Sequence, residues 1–315
     1  MTQLRLISGA RAQRMARLFV GVLPLLVIAL WSVYLWSGYR WHLPPDAYTY
    51  LAAGERLNAG HSLYGPLEPG DRYVLDWQTF AAPLVSPPLV AVLWRPLALL
   101  GAWTVFPWWA LTIAALVGTY VVVWSRAPLL AAALTVPAMY AFSIEVGVGN
   151  LDSFVLAGTL AAWYLWRRDR PSSAMAVAVA LAALKVYPVL LVVWLLVVAP
   201  ARTWRPFLAS VGVLLGVGVA GAGLAAHLDY LHVLAVSGSG LPAALLVATG
   251  ACTVGIIALR RWPAASFVCA VLAMAMAWTL IVLSTVAVPL VAWAGRKRRE
   301  PSRKSRHALR PPRTA

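Results

Sequence analysis

Long apolar runs, separated by short polar or basic stretches, dominate this chain. The runs 19–39, 106–124 and 127–142 each have a length and composition typical of a membrane span. The last run, 264–294, is too long for one span and predicts a hairpin of two helices. The pattern therefore predicts an all-α protein, a polytopic membrane helical bundle of about 9 to 11 spans.

The apolar run 174–199 differs from the others because a lysine interrupts it. Lys185 stands near its middle and is followed by Tyr187 and Pro188, and basic clusters flank the run on both sides. If both flanks are cytoplasmic, the run must enter the membrane and return as two short helices. Lys185 would then lie at the turn between them, close to the outer side.

The stretch 41–64 follows the first apolar run and predicts a short helix on the membrane surface. Asp46 comes directly after Pro44 and Pro45, where the chain is extended and a helix can begin. Apolar residues then recur at roughly helical spacing over 47–57, and Gly60 would end the helix. The result is one carboxyl group held at the water boundary. Helix capping is the alternative explanation of Asp46.

The composition places this chain among integral membrane proteins. Hydrophobic residues make up 62% of the sequence and the mean hydropathy is +0.78. The net charge of +16 is concentrated at the termini and in short loops, which fits positive-inside sorting better than nucleic-acid binding. We therefore predict a multi-pass protein of the cell inner (plasma) membrane with both termini cytoplasmic and the loop 38–83 outside. Residues 1–295 would form a single domain and 296–315 a basic disordered tail.

Three ionisable residues inside apolar stretches are functional candidates because such groups are expensive in a membrane. Glu145 and Asp152 are seven residues apart, with glycines between them, and a structural pair is slightly favoured over a catalytic one. Lys185 needs an anionic partner, which a lipid phosphate would provide. The alternatives for Lys185 are a lysine that reaches to the membrane surface and an ion pair with Asp152.

Several common kinds of site lack support in this sequence. There is no GxSxG, HExxH, P-loop or GxGxxG signature in a usable context. The two cysteines, Cys252 and Cys269, fall in predicted spans and belong to no Cys/His cluster. We therefore predict no metal site and no cofactor.

Four short motifs resemble glycosyltransferase family 87, the polyprenyl-phosphate-sugar-dependent mannosyltransferases of the multi-spanning C-type glycosyltransferase superfamily. In chain order they are Asp46-x-x-x-Tyr50 followed by Ala53, Gly60 and Tyr64, then Pro87-Pro88, Gly147-Val148-Gly149-Asn150, and Lys185-Val186-Tyr187-Pro188. Their order and their spacing relative to the apolar runs carry the resemblance. The chain departs from the family pattern at Val148 and Ser86, where Gln and Tyr are usual.

The resemblance implies a role for each matching residue. Asp46 matches the acidic residue of the first outer loop, which acts as catalytic base in the superfamily, and Lys185 matches a lysine that contacts the donor phosphate. The donor would be a polyprenyl-phosphate sugar, with mannose as the expected hexose, and the acceptor a glycolipid or glycan outside the cytoplasm. The remaining candidate substrate-binding residues are Tyr50, Tyr64, Asn150, Tyr187, His227 and His232. The two histidines fall in the stretch 225–240, which we predict to be a second outer loop.

Two other functions compete with a glycosyltransferase. The first is a transporter or lipid flippase in which Glu145, Asp152 and Lys185 line a path. The second is an inactive relative that binds a polyprenyl lipid and serves as a partner subunit. Formation of a new glycosidic bond would separate the transferase from both.

Overall fold

The computed structural model describes residues 43–64, 72–75, 78–81, 84–126, 145–238 and 243–277, together with isolated helical positions between 22 and 37. The predicted first span lies largely outside the described residues, and the predicted span 127–142 and the tail lie wholly outside them.

Helices account for most of the described chain, as the sequence predicts. The elements in order are α1 (Pro45–Asn58), β1 (Arg72–Leu75), β2 (Gln78–Ala81), α2 (Pro88–Ala98), a short 3-10 helix (Gly101–Thr104), α3 (Val105–Arg126), α4 (Asp152–Arg167), α5 (Pro171–Leu184), α6 (Val189–Val198), α7 (Pro200–Gly238), α8 (Ala243–Ala258) and α9 (Pro263–Ala277).

Helix α1 confirms the short helix predicted after the proline pair. Pro44 is extended (φ −61°, ψ 161°) and Pro45 occupies the first turn, where its missing N–H leaves no hydrogen bond unmade. Ala59 closes the helix, and Gly60 follows with φ +76°. Asp46 lies in the first turn, but no side chain caps this helix. The capping explanation of Asp46 is therefore wrong.

A β-hairpin in the predicted outer loop is an addition to the expected all-α fold. Strands β1 and β2 pair antiparallel, with Arg72 opposite Ala81 and Leu75 opposite Gln78. Four-residue strands leave too short a periodic pattern to stand out from a loop rich in Pro, Gly and Asp.

The run 174–199 forms two short helices, as predicted. Helices α5 and α6 have 14 and 10 residues, and Lys185 closes α5 in an extended conformation. At 1.5 Å per residue they are about 21 and 15 Å long, so neither crosses a hydrocarbon core of about 30 Å by itself. Lys185 therefore lies at the turn of a helical hairpin.

Helix α7 corrects the predicted second outer loop. Residues 225–238 were expected to be a loop but continue α7, because their Leu and Ala residues favour a helix. The helix is interrupted at Gly223, which has φ +81° and ψ 160°. Glycine reaches this conformation without steric conflict. The two parts of α7 can therefore take different directions.

Two groups of aromatic rings join the helices. In the first, Trp94 of α2 lies between Tyr50 of α1 and Trp108 of α3, with centroid distances of 5.9 and 4.9 Å, and Phe154 of α4 lies 5.6 Å from Trp108. The second group is stacked deeper among α4, α6 and α9 and comprises Trp163, Trp194 and Phe267. Large rigid rings bury much area for little lost side-chain entropy, so these groups fix how the helices pack.

Two helical stretches are long and apolar enough to cross a membrane, judged by length and composition: Gly101–Val122 and Pro200–Ala235. The other apolar helices among the described residues are shorter. The first of the two stretches matches the predicted span 106–124. The predicted total of 9 to 11 spans is not confirmed.

Gly54 sits where α1 crosses α2, and its replacement tests that contact. A Cβ at Gly54 would lie 2.9 Å from the carbonyl carbon and oxygen of Trp94. Gly54→Ala must push the helices apart, so we expect it to reduce the free energy of unfolding by about 1–3 kcal/mol, measured as thermal unfolding in detergent. Gly118→Ala is the control, because a Cβ there meets nothing within 4 Å. Equal midpoints for the two variants would contradict the close contact.

Candidate functional site

Asp46 and Lys185, 139 positions apart in sequence, lie at the same site. Both side chains are half-buried, Asp46 in the first turn of α1 and Lys185 at the end of α5. Burial raises the pKa of the Asp46 carboxyl above its ordinary value, the nearby ammonium of Lys185 opposes this rise, and the carboxylate of Asp152 adds to it. Lys185 and Asp152 are therefore both within electrostatic reach of Asp46.

A buried polar network lies beside these two charges. Tyr50 donates a hydrogen bond to Oδ1 of Asn150 (3.1 Å), Nδ2 of Asn150 lies 3.4 Å from Oδ2 of Asp152, and Tyr187 donates to Oδ1 of Asp152 (2.5 Å). All four residues are buried. We call these four residues the buried polar network. It connects α1, the start of α4 and the turn that follows Lys185.

Glu145 has a structural partner at the start of α4. Its Oε1 accepts a hydrogen bond from the backbone N–H of Ser153 at 2.9 Å, and the side chain is only 3% exposed. The first N–H groups of a helix have no partner within the helix, and a carboxylate also interacts favourably with the positive end of the helix dipole. This contact supports the structural reading of Glu145. Glu145 also lies within electrostatic reach of Lys185 and Asp46.

The segment between Glu145 and Asp152 does not continue as one helix, as its glycines suggested. Residues 145–148 form a helical turn, and Gly149 then takes φ +73°. A Cβ at Gly149 would lie 2.7 Å from Cβ of Pro44 and 3.1 Å from Cβ of Ala47. Only glycine lets this segment approach the start of α1 so closely. The approach brings Asn150 to Tyr50.

Asp152 forms no ion pair with Lys185 among the described residues. Its two oxygens instead face Tyr187 and Asn150. The structure also gives the side-chain ammonium of Lys185 no hydrogen bond to any residue that it describes. The ion-pair alternative for Lys185 is therefore not supported.

Tyr64 lies at the edge of this site and contacts the second part of α7. Its hydroxyl donates to the backbone oxygen of Ser86 at 2.6 Å, and its ring lies 5.8 Å from that of Tyr230. Burial raises the pKa of Tyr64, and the neighbouring Tyr230 and Asp229 raise it further. Tyr230 was not among the residues singled out from the sequence. A tyrosine beside Asp229, between two histidines, gives no signal that separates it from an interfacial residue.

The two candidate histidines are placed differently from the rest. Nδ1 of His227 lies 2.9 Å from the backbone oxygen of Gly223, one turn earlier in α7, so this ring lies at the break in the helix. His232 is exposed. The candidates that the structure brings together are Asp46, Lys185, Tyr50, Asn150 and Tyr187. Tyr64 adjoins them through its hydrogen bond to Ser86. Among the described residues, no contact connects either histidine to Asp46.

No group of three or more His, Cys, Asp or Glu side chains that could hold a metal ion occurs in the described ranges. That metal and cofactors play no part stays a prediction.

Comparison with known families decides the class of protein. The model of glycosyltransferase family 87 matches residues 85–309. The chain belongs to glycosyltransferase family 87. No curated protein and no solved structure matches the chain.

Membership of family 87 indicates a glycosyltransferase, with a sugar donor and an acceptor as its substrates. The matched range contains Glu145, Asp152 and Lys185, whereas Asp46 and the rest of α1 precede it. The placement of Asp46 near Lys185 therefore comes from the structure and not from the family match. Family membership also favours the glycosyltransferase over the transporter that the sequence left open.

Gly149 offers a test of the close approach between the two segments. Gly149→Ala would combine a left-handed backbone with the 2.7 Å contact to Pro44, so we expect the unfolding midpoint in detergent to fall clearly. Gly60→Ala is a matched control, because Gly60 has a similar φ of +76° and open space around it. In Gly60→Ala, backbone strain alone should lower the free energy of unfolding by about 1–2 kcal/mol. A Gly149 variant no less stable than the Gly60 variant would contradict the role of this contact.

Proposed function

We propose that this family 87 glycosyltransferase moves a hexose, most simply mannose, from a polyprenyl-phosphate donor to a glycolipid or glycan acceptor outside the cytoplasm. The observation that carries the proposal is that the half-buried carboxyl group of Asp46 and the half-buried ammonium of Lys185 lie within electrostatic reach of each other. A base and a cation are the two groups that such a transfer needs from the protein.

In the proposed reaction an acceptor hydroxyl oxygen attacks the anomeric carbon of the donor sugar. Asp46 takes the hydroxyl proton as the new C–O bond forms, and the bond from the anomeric carbon to the phosphate oxygen breaks. The leaving polyprenyl phosphate keeps the bonding electron pair, and Lys185 stabilises its growing negative charge. Because a phosphate is a good leaving group near neutral pH, the reaction requires no general acid. A single displacement of this kind inverts the anomeric centre.

The surroundings of Asp46 suit a base. Burial destabilises its charged form, so the carboxylate takes up a proton more readily than an exposed aspartate does. Lys185 lies near enough to limit that rise in the pKa of Asp46. Asp46 is also less buried than Glu145 or Asp152, which are 3% and 1% exposed. It is therefore the acid of this cluster that an acceptor can reach most easily.

The membrane setting proposed here is the inner membrane, crossed several times, with both termini cytoplasmic. The apolar composition, the two long apolar helices and the placement of basic residues support it. In this arrangement α1 and the turn at Lys185 face the outer leaflet. The half-buried site would then stand where a lipid-borne phosphate is found.

Tyr64 and its neighbour Tyr230 are the proposed acceptor side of the site. A tyrosine ring presents an apolar face to the C–H face of a sugar, and its hydroxyl offers a hydrogen bond. Tyr64 adjoins the network through Ser86, whose side chain lies within hydrogen-bonding reach of Tyr50. His227 and His232 remain candidates for acceptor binding on the same helix as Tyr230.

Replacing Asp46 tests the base. Asp46→Asn keeps the size of the side chain but cannot accept the proton, so we expect sugar transfer to fall by about 10²–10⁴-fold. The measurement is the transfer of labelled sugar from polyprenyl-phosphate mannose to a membrane lipid fraction by purified protein. Because burial raises the pKa of Asp46, the wild-type rate should fall as pH decreases through a value above that of an exposed aspartate.

Glu55→Gln is the control for this experiment. Glu55 lies on the same helix and is exposed, and nine residues place it on the opposite side from Asp46. We expect this variant to transfer sugar at the wild-type rate. Wild-type turnover by Asp46→Asn, in protein that unfolds at the wild-type temperature, would defeat the assignment of the base.

Replacing Lys185 tests contact with the donor phosphate. A charge-assisted hydrogen bond is worth about 1.5–3 kcal/mol, so Lys185→Ala should raise the KM for the donor roughly 10- to 100-fold and change the KM for the acceptor far less. Lys185→Arg keeps the charge and should recover part of the loss. A donor KM unchanged in Lys185→Ala would reject the phosphate contact.

A further inference from the structure

Asp152 is the member of the site for which neither the family match nor the proposed reaction gives a role. It is 1% exposed, yet a buried carboxylate is costly unless donors surround it. One oxygen faces the amide of Asn150, two residues earlier, and the other accepts a hydrogen bond from Tyr187 of another segment. Asn150 is bonded in turn to Tyr50 of α1, the helix that carries Asp46. Tyr187 belongs to the turn that carries Lys185.

We propose that Asp152 is a positioning residue: through Asn150 and Tyr187 it fixes Asp46 relative to Lys185, and the charge of its carboxylate acts on Asp46. The proposal rests on the proposed function, in which Asp46 is the base. Asp152 touches neither reacting group in this arrangement. It acts through its neighbours.

The first part of the proposal follows from the hydrogen bonds. Tyr187 lies two residues after Lys185, so its bond to Asp152 ties the turn at Lys185 to the start of α4. Tyr50 lies one helical turn after Asp46, and its bond to Asn150 ties α1 to the same point. Oδ1 of Asn150 also accepts from the backbone N–H of Leu151 at 2.7 Å, which fixes the orientation of its amide. The elements that carry Asp46 and Lys185 are therefore both bonded to the segment that contains Asn150 and Asp152.

The second part follows from the charges around Asp46. Burial is the largest cause of the raised pKa of Asp46, Lys185 lowers that pKa, and Asp152 raises it. Among the described residues, the ionisable groups within electrostatic reach of Asp46 are Lys185, Asp152, Tyr50 and Glu145. Tyr187 bonds to Asp152, and Arg95 of α2 is bound to Asn58 at the other end of α1. Removing the negative charge of Asp152 should therefore make Asp46 a weaker base.

Two substitutions separate the charge from the geometry. Asp152→Asn keeps an oxygen that accepts from Tyr187 and removes the charge. Tyr187→Phe keeps the charge and removes one of the two connections. Asp169→Asn is the matched control, because Asp169 is exposed in the turn between α4 and α5, at the other end of α4 from Asp152, and its carboxylate bonds to Arg202 of α7.

The experiment measures the pH dependence of kcat/KM for sugar transfer and, separately, the titration of Asp46. An apolar carbodiimide modifies protonated carboxyl groups, so the extent of modification at Asp46, read by mass spectrometry across pH, reports its protonation without any acceptor or turnover. For Asp152→Asn we expect both the acidic limb of kcat/KM and the modification midpoint to move to lower pH, by up to about one pH unit.

For Tyr187→Phe we expect kcat to fall about tenfold or more, because a small misplacement of reacting groups is enough to slow transfer, with the acidic limb near its wild-type pH. Asp169→Asn should match wild type in every measurement. A purely structural role for Asp152 would lower the unfolding midpoint but would leave the acidic limb and the modification midpoint where they are in wild type.

The outcomes distinguish this inference from the proposed function. An unchanged modification midpoint in Asp152→Asn, or full kcat in Tyr187→Phe, overturns the inference while transfer by wild type still supports the function. If wild type transfers no sugar but the midpoint moves as expected, the proposed function fails and the electrostatic part of the inference stands.

Discussion

The site depends on buried hydrogen bonds between side chains that are far apart in sequence. Tyr50 and Asn150 are 100 residues apart, and Asp152 and Tyr187 are 35 residues apart. Within an apolar bundle each of these polar groups would be costly without its partner, so any packing that separated them would leave several groups unsatisfied at once. The network therefore selects one arrangement of α1, α4 and the Lys185 turn.

The three carboxyl groups of the site differ in what surrounds them. Glu145 accepts from the first turn of α4, and Asp152 faces two side-chain donors. Asp46 is half-buried and lies near Lys185 without a capping role. Three acids around one cation thus divide into two whose oxygens have structural partners and one that remains accessible. Different surroundings give like side chains different chemistry.

Glycines permit the close approaches that this arrangement needs. Gly149 lets the segment after Glu145 rest on Pro44 and Ala47, and Gly54 lets α1 lie directly on the backbone of α2. Close to the break in α7 at Gly223, the side chain of Arg95 donates hydrogen bonds to Asn58 and to the backbone oxygen of Gly221. That contact ties the end of α1 to the helix that carries Tyr230.

The sequence by itself determined the local elements: the helix after the proline pair, the hairpin around Lys185 and the interruption at Gly149 all follow from neighbouring residues. It missed the short hairpin β1–β2 and the helical course of residues 225–238, where strands were too short and the polar residues too many for the pattern to decide. Only the tertiary structure decided that Asp46 and Lys185 lie within electrostatic reach of each other and that Asp152 has Tyr187 rather than Lys185 as its partner. Such contacts depend on how helices pack in three dimensions, and spacing along the chain does not carry that information.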